Sequence, residues 1–395
     1  YEELSYSTYS SEPAIDLLCT EVPTLTHVFA AGNEGASCRR INNGGYGSIT
    51  HRAKNPIYVG NMTHLASIEL SSSKGPADDG RLFPTVTTRG NQVYSTVDPQ
   101  FGKDEHPYTS MTGTSMACPT LTGHLALVTE RFQQLNGGVI PTNNFLKALI
   151  SNTARDEGRK GPDYDFGFGS VETQNAIKAM EQGWYKLDTI RFNEKGKEYE
   201  IQVPEGVKTF RVMIAWNDPV AIKQYAHGEK ALINDLDLTV EASGQTVRAY
   251  ALDPKDPQGL ATKEGNHVDP IEQVEIENPT AGAYKVNVTA DIRQGGRQGY
   301  TLTWYFDEAK PEILSPLPGE KYHPGEYILM NVKNTEGRNH NVELSYDGGK
   351  SYISLGAKTR HALLTVPEDA PITNNALLRI TDEKSNVLIM QKPFV

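Results

Sequence analysis

Gly113-Thr-Ser115-Met-Ala-Cys-Pro119 decides how the first half of this 395-residue chain is read. Downstream of it Leu121, Leu125, Val128, Phe132 and Leu135 recur at i, i+4, i+7, i+11 and i+14, the spacing of one helical face. Pro119 suits a first helical turn and Asn136-Gly137-Gly138 is a stop signal, so the stretch predicts a helix that opens around Ser115. A serine there meets unpaired backbone N–H groups and the positive end of the macrodipole, both of which favour developing negative charge. Two roles fit the position: a nucleophile for acyl transfer, or an N-cap that satisfies backbone donors.

A second stretch lies upstream. His27 to Ala31 reads as a short buried strand, and Gly32-Asn33-Glu34-Gly35 turns at its carboxyl end, where open α/β sheets place their active sites. Asn33 is either a turn residue tolerating a left-handed backbone or an amide aimed at an oxyanion. Gly113 to Pro119 and Phe29 to Gly35 together resemble the nucleophile and oxyanion-hole segments of the subtilisin-like serine proteases, the subtilases. The resemblance implies Ser115 and Asn33 as catalytic residues in an α/β doubly wound parallel sheet, with Ala31 and Gly32 in the wall of a substrate site.

Further segments agree in order along the chain. Ser71-Ser-Ser-Lys-Gly75-Pro76, Asp79-Gly80-Arg81 and Pro84 through Gly90 resemble a loop of the family, with Lys74 in place of the usual Arg, Thr85 of Asp, and Thr88-Arg89 of Ala-Pro. Leu4-Ser5-Tyr6-Ser7 falls where the family has a substrate-binding strand, implying a contact from Ser5, although Ser7 sits at the glycine position. Asp163 through Val171 resembles the segment that closes the catalytic domain, before a last helix ending near Gln182-Gly183.

Subtilases order their triad Asp, His, Ser, and both earlier members precede the oxyanion asparagine. Here 32 residues precede Asn33, and none carries the Asp-Ser/Thr-Gly or His-Gly-Thr pattern. His27, His51, His64 and His106 match no base motif, His124 lies well along the Ser115 helix, and His227 and the later histidines lie in all-β sequence. Without a base a serine hydroxyl is a weak nucleophile. A parallel sheet is buried on both faces, so one lacking its early strands would expose an apolar edge. The expectation is therefore a piece of a longer precursor, cut upstream of Tyr1, whose N-terminal fragment bearing Asp and His stays packed against it non-covalently.

Acidic residues outnumber basic ones, 49 to 38, and the net charge of −11 argues against nucleic acid or an anionic membrane as partner. No apolar run reaches transmembrane length. Three cysteines leave pairing open: Cys19 and Cys38 flank the Asn33 strand and can pair, while Cys118 reads as a small apolar group.

From about Lys186 the sequence changes to short alternating strands, among them Lys208 to Trp216, Leu236 to Val240, Glu272 to Ile276, Gly282 to Val288 and Tyr300 to Trp304. Trp216-Asn-Asp218-Pro, Leu232-Ile-Asn234-Asp235-Leu-Asp237-Leu and Asn266-His-Val268 resemble the C-terminal β-barrel of a subgroup of bacterial alkaline subtilases. Asp218, Asn234, Asp235 and Asp237 form an oxygen-rich set, and since those relatives can hold Ca2+ in this barrel, a structural calcium ion is expected there, the alternative being caps on turns. After about Pro311 a third module, with the turn Asp347-Gly348-Gly349 in a stretch resembling an Asp-box hairpin, reads as an immunoglobulin- or fibronectin-like sandwich.

These readings give three domains: 1–184, the C-terminal part of a subtilisin-like catalytic domain; 185–308, a jelly-roll-like barrel; and 309–395, the sandwich. The resemblance implies a secreted, periplasmic or cell-surface bacterial serine endopeptidase acting on proteins or peptides. The other function class is an inactive subtilase scaffold that works by binding.

Overall fold

The computed structural model describes residues 12–38, 44–49, 51, 53–98, 107–221, 229–242, 244–308, 311–333, 335, 339–390 and 392–395. Ser5, His106 and His227 lie outside them. The chain divides into two compact units, Tyr1–Asp307 and Glu308–Val395.

The first unit opens with α1 (Glu12–Glu21) and three parallel strands, β1 (Val28–Ala30), β2 (Ile57–Met62) and β3 (Val86–Arg89), in the spatial order β1-β2-β3. β2 is buried along almost its whole length, as a central parallel strand should be, whereas all three residues of β1 are half-buried. An antiparallel hairpin follows, β4 (Val93–Thr96) and β5 (Tyr108–Met111), and runs directly into α2 (Thr114–Leu135). The expected apolar face forms: Leu121, Leu125, Val128 and Phe132 are buried, and α2 packs across all three parallel strands. α3 (Asn143–Asn152) and α4 (Thr173–Glu181) complete this layer.

The rest of the unit is a sandwich of two four-stranded sheets. Its strands are β6 (Tyr185–Arg191), β7 (Lys197–Val203), β8 (Val207–Ala215), β9 (Asp235–Ala242), β10 (Gln245–Arg248), β11 (Ile271–Glu277), β12 (Gly282–Asp291) and β13 (Arg297–Glu308), ordered β10-β9-β12-β7 and β11-β8-β13-β6. The stretches in β9 and β12 alternate between buried and exposed, whereas those in β8, β11 and β13 are buried almost throughout; Leu236, Leu238 and Val240 of β9 share one core with Val212, Ile214, Val286 and Leu302. The outer face of this sandwich continues the α/β core, since Met213, Ala215, Ile271 and Tyr305 cluster with Phe145, Leu149 and Phe168.

The seam carries buried charge. Lys54 Nζ lies 2.5 Å from Asp218 Oδ2, both side chains fully buried, and also donates to the carbonyls of Pro219 and Ala231. Asp16 accepts the backbone N–H groups of Lys54 and Asn55, and Asn143 donates to Asn217 at 3.0 Å.

The second unit stacks β14 (Glu312–Ser315), β15 (Tyr327–Lys333) and β18 (His361–Thr365) against β16 (Asn339–Ser345), β17 (Ile353–Thr359), β19 (Leu377–Thr381) and β20 (Val387–Ile389) around Met330, Val342, Leu364 and Leu378. Asp347 closes its own turn, accepting from Ser345, Lys350 and Ser351. Among the described residues no helix is long and apolar enough to cross a membrane.

Candidate active site

The turn after β1 is stapled to the segment Ser71–Ser73. Gly35 N–H donates to the Ser71 carbonyl at 3.0 Å, Ser73 N–H to the Gly32 carbonyl at 2.8 Å, and Glu34 N–H to Ser73 Oγ at 3.0 Å. Gly32 needs to be glycine: its φ is +107°, and a Cβ there would lie 2.8 Å from Ser73 Oγ. The result is a rigid platform that projects the exposed Asn33 side chain.

α2 arrives on the same platform. Gly113, not Ser115, is its N-cap, with extended backbone and no side-chain cap, which removes the capping role for Ser115. Gly113 N–H donates to the Gly90 carbonyl at 3.0 Å, so the end of β3 anchors the helix start. Pro119 lies inside the helix rather than in its first turn. Its missing N–H is the one that would have bonded the Ser115 carbonyl.

Thr114 joins the two loops. Its N–H and its Oγ1 both donate to Asn33 Oδ1 at 3.0 Å, and its Oγ1 accepts the Gly32 N–H at 3.2 Å. A backbone N–H can only donate, so the amide oxygen of Asn33 must face Thr114 and its NH2 must face away. The first-turn donors of Met116 and Ala117 are engaged by the Gly113 carbonyl. The Ser115 N–H has no acceptor among the described residues, and Ser115 itself is exposed. A Cβ on Gly113 would stand 3.6 Å from Asn33 Nδ2 and 3.8 Å from the Ser115 nitrogen, so the helix N-terminal N–H and the oriented amide lie close together beside the exposed Ser115. Together they can stabilise a negatively charged oxygen next to an attacked carbon.

No described histidine hydrogen-bonds Ser115. His27 Nε2 and His124 Nδ1 are buried without a partner among the described residues, and burial holds both rings below the usual histidine range. His51 stacks on Tyr58 at 5.3 Å between ring centroids.

Ala31 and Gly32 belong to the same platform. Ala31 is 1% exposed, its methyl group packed with Ile49, Tyr58, Ala77 and Phe83, and its N–H bonded to the Val59 carbonyl. Gly32 is likewise engaged through both its N–H and its carbonyl. What these two residues bring to the site is therefore the shape of the platform. The three cysteines are free, so Cys19 and Cys38, whose pairing the sequence leaves open, are not joined. Cys38 Sγ donates to the Tyr46 carbonyl and Cys118 Sγ to the Val28 carbonyl, each at 3.6 Å. Burial, with Asp16 adding to it, pushes the Cys19 thiol up to about 12.

The family departures each find a bond. Lys74 pairs with Asp165 at 2.7 Å, Thr85 Oγ1 accepts the Tyr58 N–H at 3.1 Å, and Thr88 Oγ1 donates to the Ala117 carbonyl at 2.7 Å.

The expected calcium set does not assemble. Asp218 accepts the N–H groups of Ile233 and Asn234 at 2.8 Å in addition to Lys54. Asn234 accepts from Arg293 N–H and Gln294 N–H through Oδ1 and donates to the Gln294 carbonyl and Gln298 through Nδ2. Both side chains close turns, so neither joins Asp235 and Asp237 as a ligand.

Residues 4–169 match the model of the subtilase family. An uncharacterized protein of Aquifex aeolicus is 26% identical over 197 residues, 48% of this chain and 78% of that protein. An extracellular serine protease of Serratia marcescens is 38% identical over 109 residues, 28% of this chain and 8% of that protein. Among solved structures, a lanthipeptide protease aligns with a TM-score of 0.34 at 18% identity, over 43% of this chain and 55% of that one.

Proposed function

We propose, from the place of residues 4–169 within the subtilase family, that this chain carries the nucleophile and oxyanion donors of a serine endopeptidase and is completed by a polypeptide segment that supplies Asp and His. The imidazole of that segment takes the Ser115 Oγ proton, and Oγ attacks the scissile carbonyl of a protein or peptide. The tetrahedral oxyanion is held by the Ser115 N–H and Asn33 Nδ2. The imidazolium then protonates the leaving amine, and water releases the acyl group from Ser115 by the same route in reverse. Export from the cell fits the extracellular Serratia relative.

The observation that supports this most is the double hydrogen bond from Thr114 to Asn33 Oδ1. An Asn in a turn has no need of a fixed amide orientation; an oxyanion donor does. The second reading, a scaffold that binds without cleaving, draws support from the lack of any described histidine on Ser115.

The test mixes the chain with the Asp- and His-bearing segment of its precursor and adds a fluorophosphonate probe. Labelling that appears only in the mixture and vanishes in Ser115→Ala supports the protease. A stable mixture with no labelling and no peptide hydrolysis leaves the scaffold.

A further inference from the structure

β9 alternates, so Asp235 and Asp237 stand on one strand face while Leu236 and Leu238 enter the core. His267, on the loop before β11, leans over them. Its Nδ1 lies 3.3 Å from Asp235 Oδ2 and 3.3 Å from Asp237 Oδ1. One N–H cannot point at two acceptors, and both contacts exceed the roughly 2.7–2.9 Å of a charge-assisted hydrogen bond. Ligand atoms held tetrahedrally at about 2.0–2.1 Å from a metal ion stand about 3.3 Å apart. We infer that Asp235, Asp237 and His267 form a binding site for one divalent transition-metal ion of the Zn2+ type.

Three further features support it. Asp235 Oδ1 is shut off from solvent with no hydrogen-bond partner among the described residues, so the charge of this carboxylate is met from the Oδ2 side, the oxygen that faces His267 and that an ion would take. The His267 loop is fixed before any ion binds: Asn266 N–H donates to the buried Glu272, and Asn266 Oδ1 accepts from the N–H groups of Val268 and Asp269. The site is also open to loading, with His267 54% and Asp237 41% exposed at the side chain.

The mixed nitrogen and oxygen donors select against Ca2+ and Mg2+ and suit Zn2+ or Co2+. Lys230, 3.1 Å from Asp235 Oδ2, is the competing cation that the metal displaces. An ion held here ties β9 to the loop entering β11.

Metal-free full chain is titrated with Co2+, read by its visible ligand-field absorption, and with Zn2+ by calorimetry. The expected result is one equivalent bound with a tetrahedral cobalt spectrum, at least about tenfold weaker in His267→Ala and Asp237→Asn, and tighter in Lys230→Met. Both ligands are exposed enough that the metal-free variants should melt like the parent; if His267→Ala does not fold, Asp237→Asn gives the same reading. Absence of saturable binding, binding unchanged in both variants, or displacement of Co2+ by equimolar Ca2+ would overturn the assignment. None of these readouts depends on proteolysis.

Discussion

Asn33 and Asp218 are both polar residues in turns that the sequence marks out, and their surroundings are opposite. Asn33 is exposed and, among the described residues, held at one end only, by Thr114, which leaves its NH2 available. Asp218 is buried with both oxygens engaged, by Lys54, Ile233 and Asn234. A polar side chain with donors left over is placed to act on something else, whereas one with none left over holds the fold.

The largest expected effect tests the buried side of that contrast. Asp218→Ala strands the Lys54 ammonium in the seam and should lower stability by about 3–5 kcal/mol, read by denaturant unfolding. Replacing both partners by apolar residues should recover much of that loss, and an equal loss in the double variant would show that the pair does not act as a unit.

Asn33→Ala should lower kcat of the completed enzyme on the order of 10²–10³-fold with KM little changed and the melting temperature retained. A folding defect instead would place Asn33 with Asp218.

Lys147 gives a pH test of the same seam. Burial lowers its ammonium to about 8, and its Nζ donates to the Lys54 carbonyl at 3.0 Å. The unfolded chain keeps that proton up to about 10.4, so between these values unfolding takes up a proton and stability rises with pH. Lys147→Met should remove this rise and stabilise the protein at pH 7 by up to about 3 kcal/mol. A stability difference between the two proteins that stays flat from pH 7 to 10 would refute it.

The smallest effect belongs to Thr114→Val, which keeps the N–H but loses both hydroxyl bonds, the one donated to Asn33 and the one accepted from the Gly32 N–H. About 1 kcal/mol, or a fall in kcat of about fivefold, is expected. A larger loss would show that the hydroxyl, not the backbone, orients the amide.

The α2 face and β9 and β12 were legible because each is a local period, 3.6 or 2, repeated over several residues, and β8, β11 and β13 because they are short apolar runs between turn residues. The Ser115 and Asn33 turns were legible because glycines and a helix start mark them. The engagement of Asp218 was not, since Lys54, which pairs with its carboxylate, and Asn55, which bonds its backbone carbonyl, lie more than 160 residues away in sequence. The grouping of His267 with Asp235 and Asp237 was hidden the same way, by a fold that returns a loop to a strand. Thr114 was overlooked although it stands next to Ser115, because its role appears only when the Asn33 turn is set against the helix. Cys19 and Cys38 flank one strand in sequence, yet each thiol has its own surroundings, the first buried and the second bonded to Tyr46.

Met213, Ala215, Ile271 and Tyr305 share a core with Phe145, Leu149 and Phe168. The α/β layer and the β-sandwich therefore cannot be exchanged independently among proteins: recombination that swapped either alone would mismatch a set of interlocking side chains. The two should pass through evolution as a single heritable block, with substitutions on one side of residue 184 answered by substitutions on the other.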